Sequence, residues 1–174
     1  AGKPLAGNFQ SSPFYPLNII LLFNPFYLSW SIFIILQVVL TAIFMFAFLR
    51  NLKLEKSASV LGTLAFSFSG FVVSWFEWGN VIHTALWLPL ILLSIDKLFE
   101  NFKNKKRPIW FAILLFSTTS SFLAGHLQIF FYLFVFSFVY LIFRWFEHGR
   151  KLKTLGLFSI CYLIFAIITS VQWV

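Results

Sequence analysis

Long apolar runs, separated by short polar or charged clusters, dominate the chain. Six of these runs approach the roughly 20 mostly apolar residues that one helical crossing of a bilayer core requires. Their approximate bounds are Phe26–Leu49, Ala58–Phe76, Val81–Phe99, Ile109–Gly125, Leu127–Phe146 and Leu155–Val174. We expect helices, because unpaired backbone groups are costly in lipid and the runs lack the alternation of barrel strands. The pattern predicts an all-α, polytopic bundle of about six transmembrane helices.

Residues 1–25 form a separate predicted unit ahead of the six-span bundle at 26–174. Their apolar stretch, Leu17 to Phe23, is too short to cross a bilayer and is flanked by Pro16 and Pro25. We therefore predict an external loop with a segment that rests on the membrane surface.

The composition narrows the class of protein further. Of the 174 residues, 60% are hydrophobic and only 10% are charged, which excludes an ordinary soluble domain. The net charge of +8 does not indicate nucleic acid as a partner, because the basic residues lie in clusters between apolar runs and not on one solvated face. The only methionine, Met45, lies inside an apolar run, and no polar tail follows, so we expect a fragment of a longer protein that lacks both ends.

The positions of the basic residues predict an orientation in the membrane. Twelve of the thirteen Lys and Arg residues follow the first, third or fifth apolar run, and Lys3 is the exception. Short loops rich in Lys and Arg stay in the cytoplasm. We therefore predict cytoplasmic loops near Lys53, Lys105 and Lys151, with the other turns outside.

Two patterns concern helix packing. Small residues recur on one face of the second run, at Ser59, Thr63, Ser67, Gly70 and Ser74. Small residues let helix backbones approach closely in lipid, so we expect this whole stripe to face another helix. In the third run, Pro89 cannot donate a hydrogen bond to the carbonyl of Ala85, which predicts a kink below His83.

Polar side chains inside the membrane are the first candidates for chemistry, because they are costly there. Gln37 lies in the middle of the first run, where it makes either an interhelical hydrogen bond or a substrate contact. Asp96 and Lys97 lie near the cytoplasmic end of the third run. We expect their side chains to reach water and to have a structural role.

Four further candidates share one depth near the external side. Glu77 and His83 lie at the junction of the second and third runs, and His126 and Gln128 occupy the short turn between the fourth and fifth. Each histidine alone fits a headgroup contact or a structural hydrogen bond. Two histidines beside a carboxylate also fit a catalytic site, so we predict that all four residues line one wall of an external cavity.

Three stretches near these residues resemble the bacterial YfhO-like multi-pass membrane proteins, which belong to the GT-C class of glycosyltransferases. The first, residues 9–18 (FQSSPFYPLN), is similar to the end of that family's first large external loop. The second comprises residues 66–71 (FSFSGF) and 87–90 (WLPL). The third is the turn at 124–128 (AGHLQ), in which Leu127 replaces the proline expected in a Gly-His-Pro-Gln turn.

The resemblance implies a GT-C-like partial membrane domain in the bacterial cell membrane. It implies transfer of a sugar from a polyprenyl-phosphate donor to a cell-envelope glycan acceptor on the outer face. The family's main catalytic carboxylate is expected in a first external loop that precedes residue 1. The resemblance leaves a divalent metal ion open as cofactor, whereas the residues themselves show no zinc or phosphate-binding motif.

Two other functions remain open at the level of the sequence. A transporter would use Gln37, Asp96 and the two histidines as a relay through the bundle, and it would place ionisable groups near the middle of the membrane. A non-catalytic membrane scaffold would show no clustering of Glu77, His83 and His126.

Overall fold

The computed structural model describes residues 2, 7–22, 25–100, 106–149 and 152–172, and this part of the chain is helical without any strand. The α-helices in it are α1 (Phe26–Asn51), α2 (Lys56–Ser67), α3 (Gly70–Ser74), α4 (Val81–Ala85), α5 (Leu88–Glu100), α6 (Arg107–Leu123), α7 (Leu127–Glu147) and α8 (Leu152–Thr169). Short 3₁₀ helices occupy Phe9–Ser11, Pro16–Leu22 and Ser170–Gln172. The prediction of an all-α polytopic bundle is confirmed. Of the residues named above, Lys3, Phe23, Lys105, Lys151 and Val174 lie outside the described residues.

Five helical stretches of the described chain are long and apolar enough to cross a membrane. They are Phe26–Asn51, Lys56–Ser74, Val81–Glu100, Leu127–Glu147 and Leu152–Gln172. The fourth predicted run corresponds to α6, which packs against α5 and α8. Its 17 residues extend about 25 Å along the helix axis, near the lower limit for one crossing.

Two of these stretches are interrupted where a local residue favours a new helix start. The second breaks between α2 and α3, where the Ser69 hydroxyl accepts a hydrogen bond from the backbone N of Val72 at 3.5 Å. This is the geometry of a helix N-cap. The third breaks at Leu86 and Trp87, so Pro89 lies in the first turn of α5, where its missing N–H costs nothing. The kink predicted at Pro89 corresponds to the short turn at Leu86 and Trp87 between α4 and α5.

The predicted stripe of small residues is confirmed only in its first half. Ser59, Thr63 and Ser67 are buried on α2, which packs against α1. Gly70 and Ser74 are exposed, and the prediction is wrong for them, because the new helix that begins after Ser69 presents a different face.

Gly62 on α2 leaves room for a side chain of α1. A Cβ atom built there would lie 2.8 Å from Cδ1 of Leu49 on α1, whereas one built at Gly70 would meet no atom within 4 Å. Gly62, which lies beside the predicted stripe and not in it, therefore makes space for the end of the Leu49 side chain.

The third stretch is the centre of the bundle. In its apolar window 78% of the residues are buried, compared with 22% to 28% in the other four. Its α5 packs against α1, α6 and α7, which places Trp87, Ile91, Ile95 and Leu98 in the main hydrophobic core.

The chain passes up and down the bundle, so alternate turns meet at the same end. The outer end, as we call it, carries residues 75–80 and 124–127, and it is the end predicted to be external. At the opposite end Asn51, Asp96 and Arg144 meet. The side of the membrane on which each end lies stays a prediction, as does the division of the chain at residue 25.

Candidate substrate cavity at the outer end

A cavity of about 500 Å³ opens at the outer end of the bundle. Four parts of the chain enclose it: residues 10–21, the first turns of α1, residues 75–81, and the turn between α6 and α7. The polar and aromatic residues that line this outer cavity are Gln10, Ser11, Ser12, Tyr15, Asn18, Trp30, Phe33, Trp75, Glu77, Trp78, Asn80 and His126. Its walls thus combine aromatic rings, amides, hydroxyls, one carboxylate and one imidazole.

Residues 7–22 form one wall because they are bound to the turn after α6. The Ser12 hydroxyl donates a hydrogen bond to the carbonyl of Ala124 at 2.7 Å, and Asn18 Nδ2 donates to the carbonyl of Ser12 at 2.6 Å. Phe9 packs edge-on against Phe122, with ring centroids 4.9 Å apart. The 3₁₀ helix from Pro16 to Leu22 also packs against α1.

Gly125 makes this contact possible. Its φ of +92° lies in the region that favours glycine, and a Cβ atom there would lie 2.2 Å from Oγ of Ser12 and 2.5 Å from the carbonyl oxygen of Phe9. Any side chain at this position would therefore push residues 7–22 away from the turn. The apolar segment predicted to rest on the membrane surface instead packs partly against the protein, with Leu17 and Leu21 in contact with the core.

His83 lies behind the cavity wall. Its side chain is completely buried and stacks on Phe33, with ring centroids 3.9 Å apart. Nε2 lies 3.1 Å from the carbonyl oxygen of Phe33, which can only accept, so Nε2 carries the proton. Nδ1 then accepts a hydrogen bond from the Tyr15 hydroxyl at 2.8 Å. Both ring nitrogens are therefore satisfied by the protein.

Tyr15 connects the cavity wall to this buried histidine. The residue is only 3% exposed, and its hydroxyl also accepts a hydrogen bond from Trp87 Nε1 at 3.3 Å. Burial raises the pKa of Tyr15, so the phenol keeps the proton that it donates to His83. We call Tyr15, His83 and Trp87 the buried triad; it holds residues 7–22 to α4 and to the start of α5.

Glu77 and His126 do line the same cavity, as predicted. Glu77 is exposed and lies between Trp75 and Trp78 in the sequence. His126 is half-buried and is the N-cap residue of α7. Nδ1 of His126 accepts a hydrogen bond from the backbone N of Ile129 at 3.3 Å, so in the neutral ring the proton is on Nε2. The imidazole therefore has a donor that the helix cap does not use.

The prediction of a single cavity wall is wrong for His83 and Gln128. His83 is buried in the triad, because Tyr15 and Phe33 satisfy its polar atoms. Gln128 is exposed on the first turn of α7 and donates a hydrogen bond to the Tyr132 hydroxyl at 2.9 Å, since the two residues lie four positions apart on one helix face.

Sequence reasoning missed several residues of the cavity, chiefly Tyr15, Trp30 and the polar side chains of residues 10–18. Gly79 explains how Trp30 joins the cavity: a Cβ there would lie 2.9 Å from the Trp30 ring and 3.0 Å from the Phe33 ring. Only the contact of residues 75–80 with α1 brings the tryptophans at 30, 75 and 78 to one cavity.

No group of three His, Cys, Asp or Glu side chains that could hold a metal ion occurs among the described residues. The carboxylate and imidazole of the outer cavity are therefore too few to form a metal site by themselves. The described lining also contains no Lys or Arg. Its character is neutral to acidic, which suits hydroxyl-rich ligands better than anionic groups.

Two other polar residues singled out in the sequence, Gln37 and Asp96, have structural partners. Gln37 Nε2 donates to the carbonyl of Phe76 at 3.1 Å, so its contact is a structural hydrogen bond between α1 and the turn after α3. Asp96 is completely buried, so the expectation that its side chain reaches water is wrong. Its partners at the opposite end are Asn51 Nδ2 at 2.8 Å, the Tyr140 hydroxyl at 2.9 Å and Arg144 Nε at 2.7 Å.

These contacts do not form the relay that a transporter would need. Asp96 contacts Asn51, which lies on α1 together with Gln37. Gln37 and Asn51 are 14 positions apart, or about 21 Å along the helix axis. Each polar group instead ties two or three helices together at its own depth.

Comparison with known proteins identifies the family. The family model described as "Bacterial membrane protein YfhO" matches residues 5–174. No curated protein and no solved structure matches the chain.

Proposed function

Because the chain belongs to the bacterial membrane protein family YfhO, we propose that it is part of a glycosyltransferase whose substrates meet at the outer cavity. The donor is a polyprenyl-phosphate-linked sugar, and the acceptor is a cell-envelope glycan. The resemblance to the GT-C class motivates this choice of reaction. The lining of the cavity supports the sugar part of this choice, whereas its described residues include no cation to pair with the lipid phosphate.

The observation that carries the proposal is the combination of aromatic and polar groups around one opening. Trp30, Trp75 and Trp78 offer flat apolar faces on which the C–H face of a sugar ring can stack. Glu77 and Asn80 lie beside these rings and can bind sugar hydroxyls. The volume of about 500 Å³ falls within the range of small-molecule sites, about 300 to 1,000 Å³.

The reaction needs a base for the acceptor hydroxyl. In our proposal the Glu77 carboxylate takes that proton while the hydroxyl oxygen attacks the anomeric carbon, and the bond to the lipid phosphate breaks with its electron pair on the phosphate oxygen. The Nε2–H of His126 donates a hydrogen bond to a substrate oxygen. The carboxylate that the resemblance assigns to the preceding loop would share this acid–base chemistry.

The test uses the full-length protein in lipid vesicles, with a panel of radiolabelled polyprenyl-phosphate hexoses and isolated cell-envelope glycan. Transfer of label to the glycan is measured for the wild type and for Glu77→Gln. We expect Glu77→Gln to reduce the rate about 100-fold or more, the usual contribution of a general base. His126→Ala should also reduce transfer, with an unchanged amount of folded protein.

Gln128→Ala is the matched control, because Gln128 lies in the same turn as His126 but outside the cavity lining. It should retain wild-type transfer. Wild-type rates in Glu77→Gln would remove Glu77 from the chemistry. Failure of the folded wild-type protein to label any glycan from any donor in the panel would reject the glycosyltransferase proposal.

A further inference from the structure

Three hydroxyl-bearing residues from three helices meet in the interior of the bundle. Thr118 on α6, Ser137 on α7 and Tyr162 on α8 line one small cavity, whose remaining walls are apolar. The volume of this cavity is about 10 Å³. A volume of about 10 to 15 Å³ on this measure is what a single water molecule requires.

None of these three hydroxyls has a hydrogen-bond partner among the described residues. Thr118 is 3% exposed and Ser137 is 2% exposed. Tyr162 as a residue is partly exposed, but its hydroxyl oxygen is buried. Buried hydroxyls without partners are rare in folded proteins, because each has given up its hydrogen bonds to water without replacing them.

Serine and threonine in a helix usually solve this problem with the backbone of the preceding turn. Thr84 does so here by donating to the carbonyl of Asn80 at 2.8 Å, and Ser94 by donating to the carbonyl of Leu90 at 2.7 Å. Thr118 and Ser137 make no such bond. Their hydroxyls are therefore available to a ligand in the cavity between the helices.

The depth of the cavity excludes help from solvent at the membrane surface. Ser137 is the central residue of the 21-residue helix α7. Tyr162 is likewise at the centre of the 21-residue stretch Leu152–Gln172. Lipid chains have no hydrogen-bonding groups, so the partner must be inside the protein.

We propose that this cavity is a binding site for one water molecule, which bridges the hydroxyls of Thr118, Ser137 and Tyr162. Water has two donors and two acceptors, so it can satisfy three hydroxyls at once, and buried waters commonly make about three hydrogen bonds. The site joins α6, α7 and α8 at the middle of the membrane through polar contacts. It is independent of the outer cavity and of the proposed reaction.

Radiolytic labelling of the full-length protein in nanodiscs tests the site, because hydroxyl radicals formed from a bound water oxidise the side chains beside it. Tyr162 is compared with Phe158, which lies one turn away on α8 and is 2% exposed. After correction for the intrinsic reactivity of the two rings, we expect Tyr162 to be labelled several-fold faster than Phe158. Equal, slow labelling of both rings would overturn the proposal.

A cavity-filling variant provides the second measurement. Ser137→Val replaces one hydroxyl with two methyl groups, which remove a hydrogen-bond partner and fill the cavity, so the rate of Tyr162 labelling should fall to that of Phe158. Undiminished labelling of Tyr162 in this folded variant would show that water reaches the ring by another route and would overturn the proposal as well. Should the variant fail to fold, the comparison of Tyr162 with Phe158 in the wild type still decides the matter.

Discussion

Replacing Tyr15 by phenylalanine should destabilise the outer end of the bundle while leaving its packing almost unchanged. The substitution removes one hydroxyl from a residue that is 3% exposed. It leaves Nδ1 of His83 without a donor and Nε1 of Trp87 without an acceptor. The ring itself keeps its contacts with Phe33 and His83.

The expected loss follows from the two polar groups that become unpaired. A buried donor or acceptor without a partner costs about 1 to 3 kcal/mol. The contact from Trp87 is long, at 3.3 Å, and therefore counts near the lower limit. We expect the free energy of unfolding to fall by about 2 to 4 kcal/mol.

Equilibrium unfolding of the full-length protein in mixed micelles, driven by SDS and followed by tryptophan fluorescence, measures this change. Tyr27→Phe is the matched control, because Tyr27 is 75% exposed on the first turn of α1. A surface substitution of this kind should change the free energy of unfolding by less than about 0.5 kcal/mol. Limited proteolysis adds a local readout, since residues 7–22 should be cleaved faster when the buried triad is broken.

Equal stability of the Tyr15→Phe and Tyr27→Phe variants would refute the reasoning, because it would mean that the hydroxyl of Tyr15 satisfies no buried group. A loss of stability without faster cleavage of residues 7–22 would support the hydrogen bonds of the Tyr15 hydroxyl. It would contradict their role in holding this segment to the bundle.

Three further predictions concern the helices. Gly62→Leu should destabilise the protein by about 1 to 3 kcal/mol through overpacking, because a Cβ at Gly62 would meet Leu49. Gly70→Leu should leave the stability nearly unchanged, because a Cβ there would meet no atom within 4 Å. Equal thermal stabilities of the two variants would contradict the faces assigned to these residues. Asp96→Asn should lower the free energy of unfolding by about 2 kcal/mol, less than the loss of a fully buried ion pair, because Arg144 keeps its contact with Glu147 at 2.5 Å. The exposed control Glu100→Gln should lower it by under about 1 kcal/mol. SDS unfolding compares the two variants, and an unchanged stability of Asp96→Asn would show that the ion pair is not needed. Single cysteines near Lys53, Lys105 and Lys151 in a Cys161→Ser background should all be blocked by the same membrane-impermeant reagent from the cytoplasmic side; labelling of one of them from outside would reverse that part of the orientation.

The sequence determined the helices because a membrane forces each crossing segment to satisfy its own backbone. Length and apolarity alone therefore predicted α1 and α7 to within about two residues, whereas α8 begins and ends earlier in the chain than the predicted run. Proline and glycine also mark helix boundaries in the sequence. Pro25 directly precedes α1, and Gly125 has a positive φ in the turn after α6.

Only the tertiary structure decided which polar side chains share a site. Glu77 and His126 face one cavity because residues 75–80 and the turn after α6 meet at the outer end. His83 is buried behind the cavity wall and not in the predicted site, because Tyr15, 68 positions earlier in the chain, donates a hydrogen bond to it. The pattern of the third run gives no sign of that partner.

The same limit explains the stripe of small residues on α2. The spacing predicted one continuous face, but a single serine cap at Ser69 begins a new helix and turns Gly70 outward. Periodicity describes one helix at a time, since it depends only on the 3.6-residue repeat. The choice of partner depends on contacts between residues far apart in the chain, and those are fixed only when the helices pack.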